Sequence, residues 1–162
     1  METMFPLTEL QAHGSALLAW MASGLAHAWP LLASVIAGGM VGLEREHANK
    51  PAGLRTNMLI CLGSCLYCIM SVEMGLDPTR IAAQVVTGVG FIGAGAILRI
   101  DQHITGVTTA ATIWLVAAIG MALGFGYITM GITVAVFTTI ALFLLGRFEL
   151  GMEDVNNDKD HR

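Results

Sequence analysis

Apolar residues fill this chain in long blocks broken by short polar punctuation, and the spacing within the blocks is helical. Over residues 7–25, Leu7, Leu10, Leu17, Leu18, Met21 and Leu25 recur near the helical period with Glu9, Gln11 and His13 between them, which predicts an amphipathic helix, suited to the membrane surface, with a further span as the alternative. Pro30, tolerated best in a first helical turn, then opens a spanning helix from about Trp29 to Leu43, closed by the charged run Glu44-Arg45-Glu46-His47. Four more apolar runs follow, Leu54 to Val72, Ile81 to Leu98, Ile104 to Leu123 and Tyr127 to Gly146, each long enough to cross roughly 30 Å of hydrocarbon. Pro51-Ala52-Gly53, Asp77-Pro78 and Gly124-Phe125-Gly126 supply the turn chemistry between them. The organisation expected is a peripheral helix over residues 1–28, a five-helix transmembrane domain over 29–147 and a polar, disordered cytoplasmic tail over 148–162, an all-α integral membrane protein.

Composition strengthens this reading. Of 162 residues 55% are hydrophobic and 12% charged, about half the charged share of soluble domains, and the mean hydropathy is +0.69. The net charge of −4 owes most to Glu149, Glu153, Asp154, Asp158 and Asp160, so it carries no message about a substrate. No basic surface interleaved with aromatics points to nucleic acid. The first basic residue is Arg45, so the N-terminus lacks the basic start of a secretory signal and is expected to be retained. Seven of the eight Lys and Arg residues fall in alternate loops and the tail (Arg45, Lys50, Arg55, Arg99, Arg147, Lys159, Arg162), with Arg80 opposite. Basic loops stay in the cytoplasm, which predicts an N-terminus outside, a C-terminus inside and an odd number of spans.

In lipid, helices associate through small residues and hydroxyl groups. The third span carries Gly88, Gly90, Gly93 and Gly95; Gly88 and Gly95 share one face, and Gly90 and Gly93 lie nearly opposite, which predicts a central helix gripped from two sides. Gly38-x-x-x-Gly42 and Gly120-x-x-x-Gly124 predict close crossings for the first and fourth spans. Thr105, Thr108, Thr109 and Thr112, at i, i+3, i+4 and i+7, form one hydroxyl stripe, read first as bonding to its own or a neighbouring helix and alternatively as lining a polar path.

Gly88-Val89-Gly90-Phe91-Ile92-Gly93 spells the dinucleotide-binding fingerprint, but that motif acts where a strand turns into a helix, and here a spanning segment surrounds it. The same glycines are read as packing positions, with an unwound ion-binding helix as the alternative. Cys61, Cys65 and Cys68 occupy one helical face; free thiols packed in an apolar setting are the first reading and a soft-metal path the second. Glu44, Arg45 and Glu46, brought near Arg55, Thr56 and Asn57 by a short loop, form the main cytoplasmic cluster, in which Glu44 pairs with Arg55 or Arg45. Arg99, Asp101 and His103 form a second. Carboxylates at a membrane mouth suit Mg²⁺ met through its waters, which makes Glu44 and Asp101 the weak metal candidates; no other cofactor is indicated. No nucleophile, base and orienting group come together, so no enzyme is expected.

These residues also carry a resemblance. Gly42-Leu43-Glu44-Arg45-Glu46, Ala52-Gly53-Leu54-Arg55-Thr56-Asn57, the run from Arg80 to Gly95 and Gly106-Val107-Thr108-Thr109-Ala110-Ala111-Thr112-Ile113-Trp114 resemble, in order, the MgtC/SapB family of bacterial inner-membrane proteins. The resemblance implies a protein of magnesium limitation, stress and virulence, whose best-studied relatives restrain the F-type ATP synthase. It marks Glu44, Arg45, Arg55, Thr56, Asn57, Arg80, Gln84 and the glycines of the third span as residues of interest, and Trp114 as a further motif position. Virulence-type members often carry Asn at the place of Thr108 and an acidic residue at that of Ile100, and longer members add a cytoplasmic module resembling an ACT domain beyond the part matched here.

Two functional readings follow. One is a regulatory membrane protein acting by helix contacts with itself, as a homodimer, and with another membrane complex such as ATP synthase. The other is a cation transporter or channel formed between subunits, because five spans are few for a path within one chain.

Overall fold

The computed structural model describes residues 7–100 and 103–160, with side chains over 24–99 and 103–147. The elements are α1 (Leu7–His47), α2 (Leu54–Glu73), α3 (Pro78–Gly95), a two-stranded antiparallel hairpin of β1 (Leu98–Ile100) and β2 (His103–Thr105), α4 (Val107–Gly124) and α5 (Ile128–Asp160). The chain is an all-α membrane protein. Four helical stretches, Gly24–His47, Leu54–Glu73, Val107–Gly124 and Ile128–Arg147, are long and apolar enough to cross a bilayer.

Glycine and cysteine set the helix crossings. A methyl group added at Gly38 would stand 2.7 Å from Asn57 O and Cys61 Cβ, and one at Gly42 would stand 2.8 Å from Leu54 Cα, so α1 lies directly on the backbone of α2. On the opposite side of α2, Gly120 faces the Cys61 carbonyl and Gly124 the Cys65 carbonyl, and a methyl at Gly124 would meet Cys68 Cβ at 2.8 Å. Backbones this close gain dispersion contacts that larger residues would forbid. The three cysteines, all fully buried, are the small side chains of α2 that let both neighbours approach. With α5 closing the circuit from α4 back to α1, helices α1, α2, α4 and α5 form a ring. Its interior is built by Ala33, Ala37, Val41, Cys61, Cys65, Ile69, Val116, Ile119, Leu123 and Ala135.

The crossings also fix direction. Contacts between α1 and α2 run in opposite residue order, whereas Cys61 meets Gly120 and Cys65 meets Gly124, so α2 and α4 are parallel. The segment between them must therefore return across the bilayer, and that segment is α3. Its start is well made: Asp77 Oδ1 accepts from Thr79 N at 2.9 Å and from Thr79 Oγ1 at 2.6 Å, with Pro78 in the first turn. These bonds, the hydroxyl's foremost, hold the exposed Asp77 carboxyl below its ordinary range.

Several expectations change. The third span is not the central helix. It lies outside the ring against α4 and the edge of α2, and buries Val89 and Gly93, the latter against Ala110. Gly88, Gly90 and Gly95 have open space where a side chain would be. Pro30 lies inside α1 rather than at a helix start, and the helix runs unbroken from Leu7 to His47; proline is tolerated this way where neighbouring helices offer partners. Thr105 belongs to β2, not to a helical hydroxyl stripe, because Gly106, at φ +85°, turns the chain before α4 begins. Finally, α5 is helical to Asp160, past the point where polar composition predicts loss of order.

Candidate functional site

The end of the bundle that carries the α1–α2 loop and the hairpin is also the polar end. Gly42 brings the last turns of α1 onto the start of α2, and the face that holds Ala37 and Val41 one turn apart continues to Arg45. Arg45 is therefore drawn inside and is 3% exposed. Its guanidinium forks onto the neighbouring carboxylate, with Nε donating to Glu44 Oε2 at 2.7 Å and Nη2 to Glu44 Oε1 at 3.1 Å. Consecutive helical residues do not normally face each other, and the pair forms because both side chains are long and shut off from solvent, at 4% and 9% exposure. Burial on this scale makes the pair a commitment: either charge alone would be stranded.

Asn57, fully buried on α2, donates through Nδ2 to Ala52 O at 2.8 Å and Gly53 O at 2.9 Å, pinning the turn that enters its helix. Gly53 offers α2 no side-chain cap. Glu46 supplies one from the preceding helix, its Oε2 accepting from Leu54 N at 2.8 Å, where a carboxylate also suits the positive helix end. Two polar atoms in this knot, Arg45 Nη1 and Asn57 Oδ1, are buried without a hydrogen-bond partner. The hydroxyl-bearing part of α4 reaches the same level. Gly120 meets Cys61, so Thr112, eight residues earlier, lies at the depth of Gly53, eight residues before Cys61. Thr109 and Thr112 are buried there, and Thr112 Oγ1 donates to Thr108 O at 2.8 Å.

The residues singled out in the sequence thus separate into groups. Glu44, Arg45, Glu46 and Asn57 come together around the α1–α2 turn. Arg55 and Thr56 are exposed on the first turn of α2, outside the knot, and Glu44 takes Arg45 as its partner. Arg99 is exposed on β1, and Asp101 lies outside the described residues. Of the threonines, Thr109 and Thr112 are buried whereas Thr105 and Thr108 are exposed. Arg80 and Gln84 are exposed on α3, and Trp114 on the outer side of α4. As a metal ligand Glu44 is encumbered, since both its oxygens accept from Arg45. Among the described residues no three His, Cys, Asp or Glu side chains are placed to hold a metal together. The capping role of Glu46 has no local sequence signal, because donor and acceptor are eight residues apart and meet through the fold.

A glycine-welded ring of apolar helices with a buried ion pair at one end defines a multi-pass helical membrane protein. Comparison with known proteins gives the family: the model of the MgtC family matches residues 31–150, and the chain belongs to that family. It is 52% identical over 122 residues to the "Putative magnesium transporter YhiD" of Escherichia coli (strain K12), a match that takes in 69% of this chain and 57% of that protein. It is 40% identical over 116 residues to "Protein MgtC" of Salmonella typhimurium (strain LT2), covering 71% and 50%, and 41% identical over 116 residues to "Protein MgtC" of Brucella abortus, covering 70% and 49%. The chain spans about half the length of the curated relatives it matches. No solved structure matches it.

Proposed function

We propose that this chain is a regulatory protein of the bacterial inner membrane that supports magnesium homeostasis and stress adaptation by binding other membrane proteins, with ATP synthase a candidate partner, and that it does not itself conduct magnesium. The observation that carries the reading is the make-up of the ring. Its buried side chains are mostly apolar, Ser34, Ser64, Ser71, Thr109 and Thr112 are the buried hydroxyl residues among those described, and the hydroxyls of Ser34, Ser71 and Thr112 bond back to carbonyls of their own helices. Among the described residues, a single chain packed in this way offers no succession of carboxylates or carbonyls to replace an ion's water, which a hydrated divalent cation needs.

The polar end would then serve recognition. The buried Glu44–Arg45 pair and Asn57 anchor the α1–α2 turn, and around it stand Glu46, Lys50, Arg55 and Thr56, all exposed. The gathering of Arg45, Lys50, Arg55 and Arg99 at this end, with Arg80 at the other, supports a cytoplasmic placement with the C-terminus inside. The test combines growth and capture. A strain lacking the protein is complemented with wild type or Arg55→Glu and grown in limiting magnesium, and partners are recovered from its membranes. Arg55→Glu, on an exposed side chain, is expected to leave protein levels unchanged and to lose both growth and partner; retention of both would defeat the reading.

A second reading, transport between subunits, is favoured by one observation, the outward exposure of Gln84 and Thr87 on the spanning helix α3. Magnesium uptake into liposomes by purified protein would establish it in place of the first.

A further inference from the structure

The two faces of α3 do not match their surroundings. The helix crosses the bilayer because it joins parallel α2 and α4, yet it is not among the helical stretches apolar enough to span alone. One side, Val89 and Gly93, packs on the bundle. The other presents Gln84, Gly88, Phe91 and Gly95, at i, i+4, i+7 and i+11, a single stripe with all four residues exposed. Gln84 sits six residues into the helix, roughly 9 Å along it at about 1.5 Å per residue, and an amide facing hydrocarbon at that depth would have no partner. Phe91 is 84% exposed, the most exposed large apolar side chain among the described residues. The glycines on either side of it along the stripe have nothing within 4 Å of where a side chain would begin. Glycine weakens a helix, and three of the four in α3 relieve no crowding within the chain.

We infer that this stripe of α3 is a self-association surface, and that its occupant is the same stripe of a second copy. The stripe is complementary to itself. Copies inserted in the same sense are related by a two-fold axis along the membrane normal, which runs their α3 helices parallel and sets each residue against its equivalent at the same depth. Gln84 then meets Gln84 of the second copy, and a carboxamide can both donate to and accept from another. Each Phe91 ring has an open notch to enter, over Gly88 or Gly95 of the other chain, and the absence of side chains there lets the backbones close. Lipid would fill the notches but leave Gln84 unpaired. This inference stands apart from the proposed regulation of other proteins, since both a regulator and a transporter can be dimeric.

The test uses the full-length chain. Single cysteines are placed at Gln84, Gly88, Phe91 and Gly95, with Phe137→Cys and Ile140→Cys on the exposed face of α5 as controls, in a background whose own three cysteines are changed to serine. Oxidation with copper phenanthroline in native membranes is expected to yield covalent dimer at the α3 positions at least tenfold faster than at the α5 positions. Gly88→Ile fills a notch that is empty within one chain, so helical content and thermal midpoint should stay at wild-type values while energy transfer between labelled copies in liposomes falls at least tenfold at equal dilution. Equal cross-linking on α3 and α5, or unchanged energy transfer for Gly88→Ile, overturns the inference. So does cross-linking of α3 in native membranes to a different protein with monomers alone in purified liposomes.

Discussion

Replacing Glu44 by Gln removes one negative charge and leaves shape nearly unchanged, so its cost isolates the buried pair. In the wild type the Arg45 guanidinium is 3% exposed, makes two charge-assisted bonds to Glu44 and already leaves Nη1 without a partner. With the carboxylate gone, a full positive charge remains among apolar neighbours and one spare donor becomes two or more. Breaking a buried pair from one side costs about 3–5 kcal/mol, against a total stability of about 5–15 kcal/mol for an ordinary domain. Arg45→Met strands the carboxylate of Glu44, 9% exposed, and should cost a similar amount. The double variant strands neither and is expected within about 1 kcal/mol of wild type, because desolvating two charges cancels most of what their attraction returns. Unfolding in mixed detergent micelles with increasing SDS, followed by tryptophan fluorescence, gives the four stabilities of the cycle. Strictly additive single losses, or a Glu44→Gln loss under about 1 kcal/mol as for an exposed pair, would refute the claim that the Glu44–Arg45 pair is closed to water.

Gly120→Val should destabilise by about 1–3 kcal/mol in the same assay, since its side chain would be driven into the Cys61 backbone, while Gly63→Ala, in open space, should be neutral or gain up to about 1 kcal/mol. Cys61, Cys65 and Cys68 are fully buried between helices, so a membrane-permeant maleimide should leave them largely unmodified in the folded protein and label all three after denaturation; fast labelling of the folded state would show that α2 is not sandwiched. Asp77→Ala should lower the thermal midpoint and Asp77→Asn should not, because asparagine also caps. A carboxyl held below its ordinary value stabilises the fold above its unfolded pKa and loses that contribution as pH falls through its folded one; wild type should therefore lose midpoint in acid relative to Asp77→Asn, and parallel pH profiles would remove the cap from the account.

What the sequence reveals about this molecule depends on whether a pattern is resolved within one helix or between helices. Glycines four apart lie on one face, so the crossings at Gly38 and Gly42 and at Gly120 and Gly124 are legible from spacing, whereas Asp77-Pro78 reads as a turn and proves to be the cap and first turn of α3. Spacing says that a face is smooth but not what it touches, and for that reason the glycines of α3 suggest a central helix when most of them look outward. Hydropathy has the same limit at the hairpin: Ile97, Leu98, Ile100 and Ile104 read as continuations of the spans, and the break between β2 and α4 comes at Gly106, in a left-handed conformation that no apolar count contains. The polar end shows the reverse case. Glu44, Arg45, Glu46 and Asn57 are conspicuous in an apolar chain, but their roles as ion pair, cap and turn anchor arise because Gly42 lets α1 descend onto α2 and takes Arg45 out of reach of water. The same physics that hides Arg45 leaves Gln84 uncovered: a bundle this small closes one ring of helices, and the helix left outside must complete its packing with something other than its own chain.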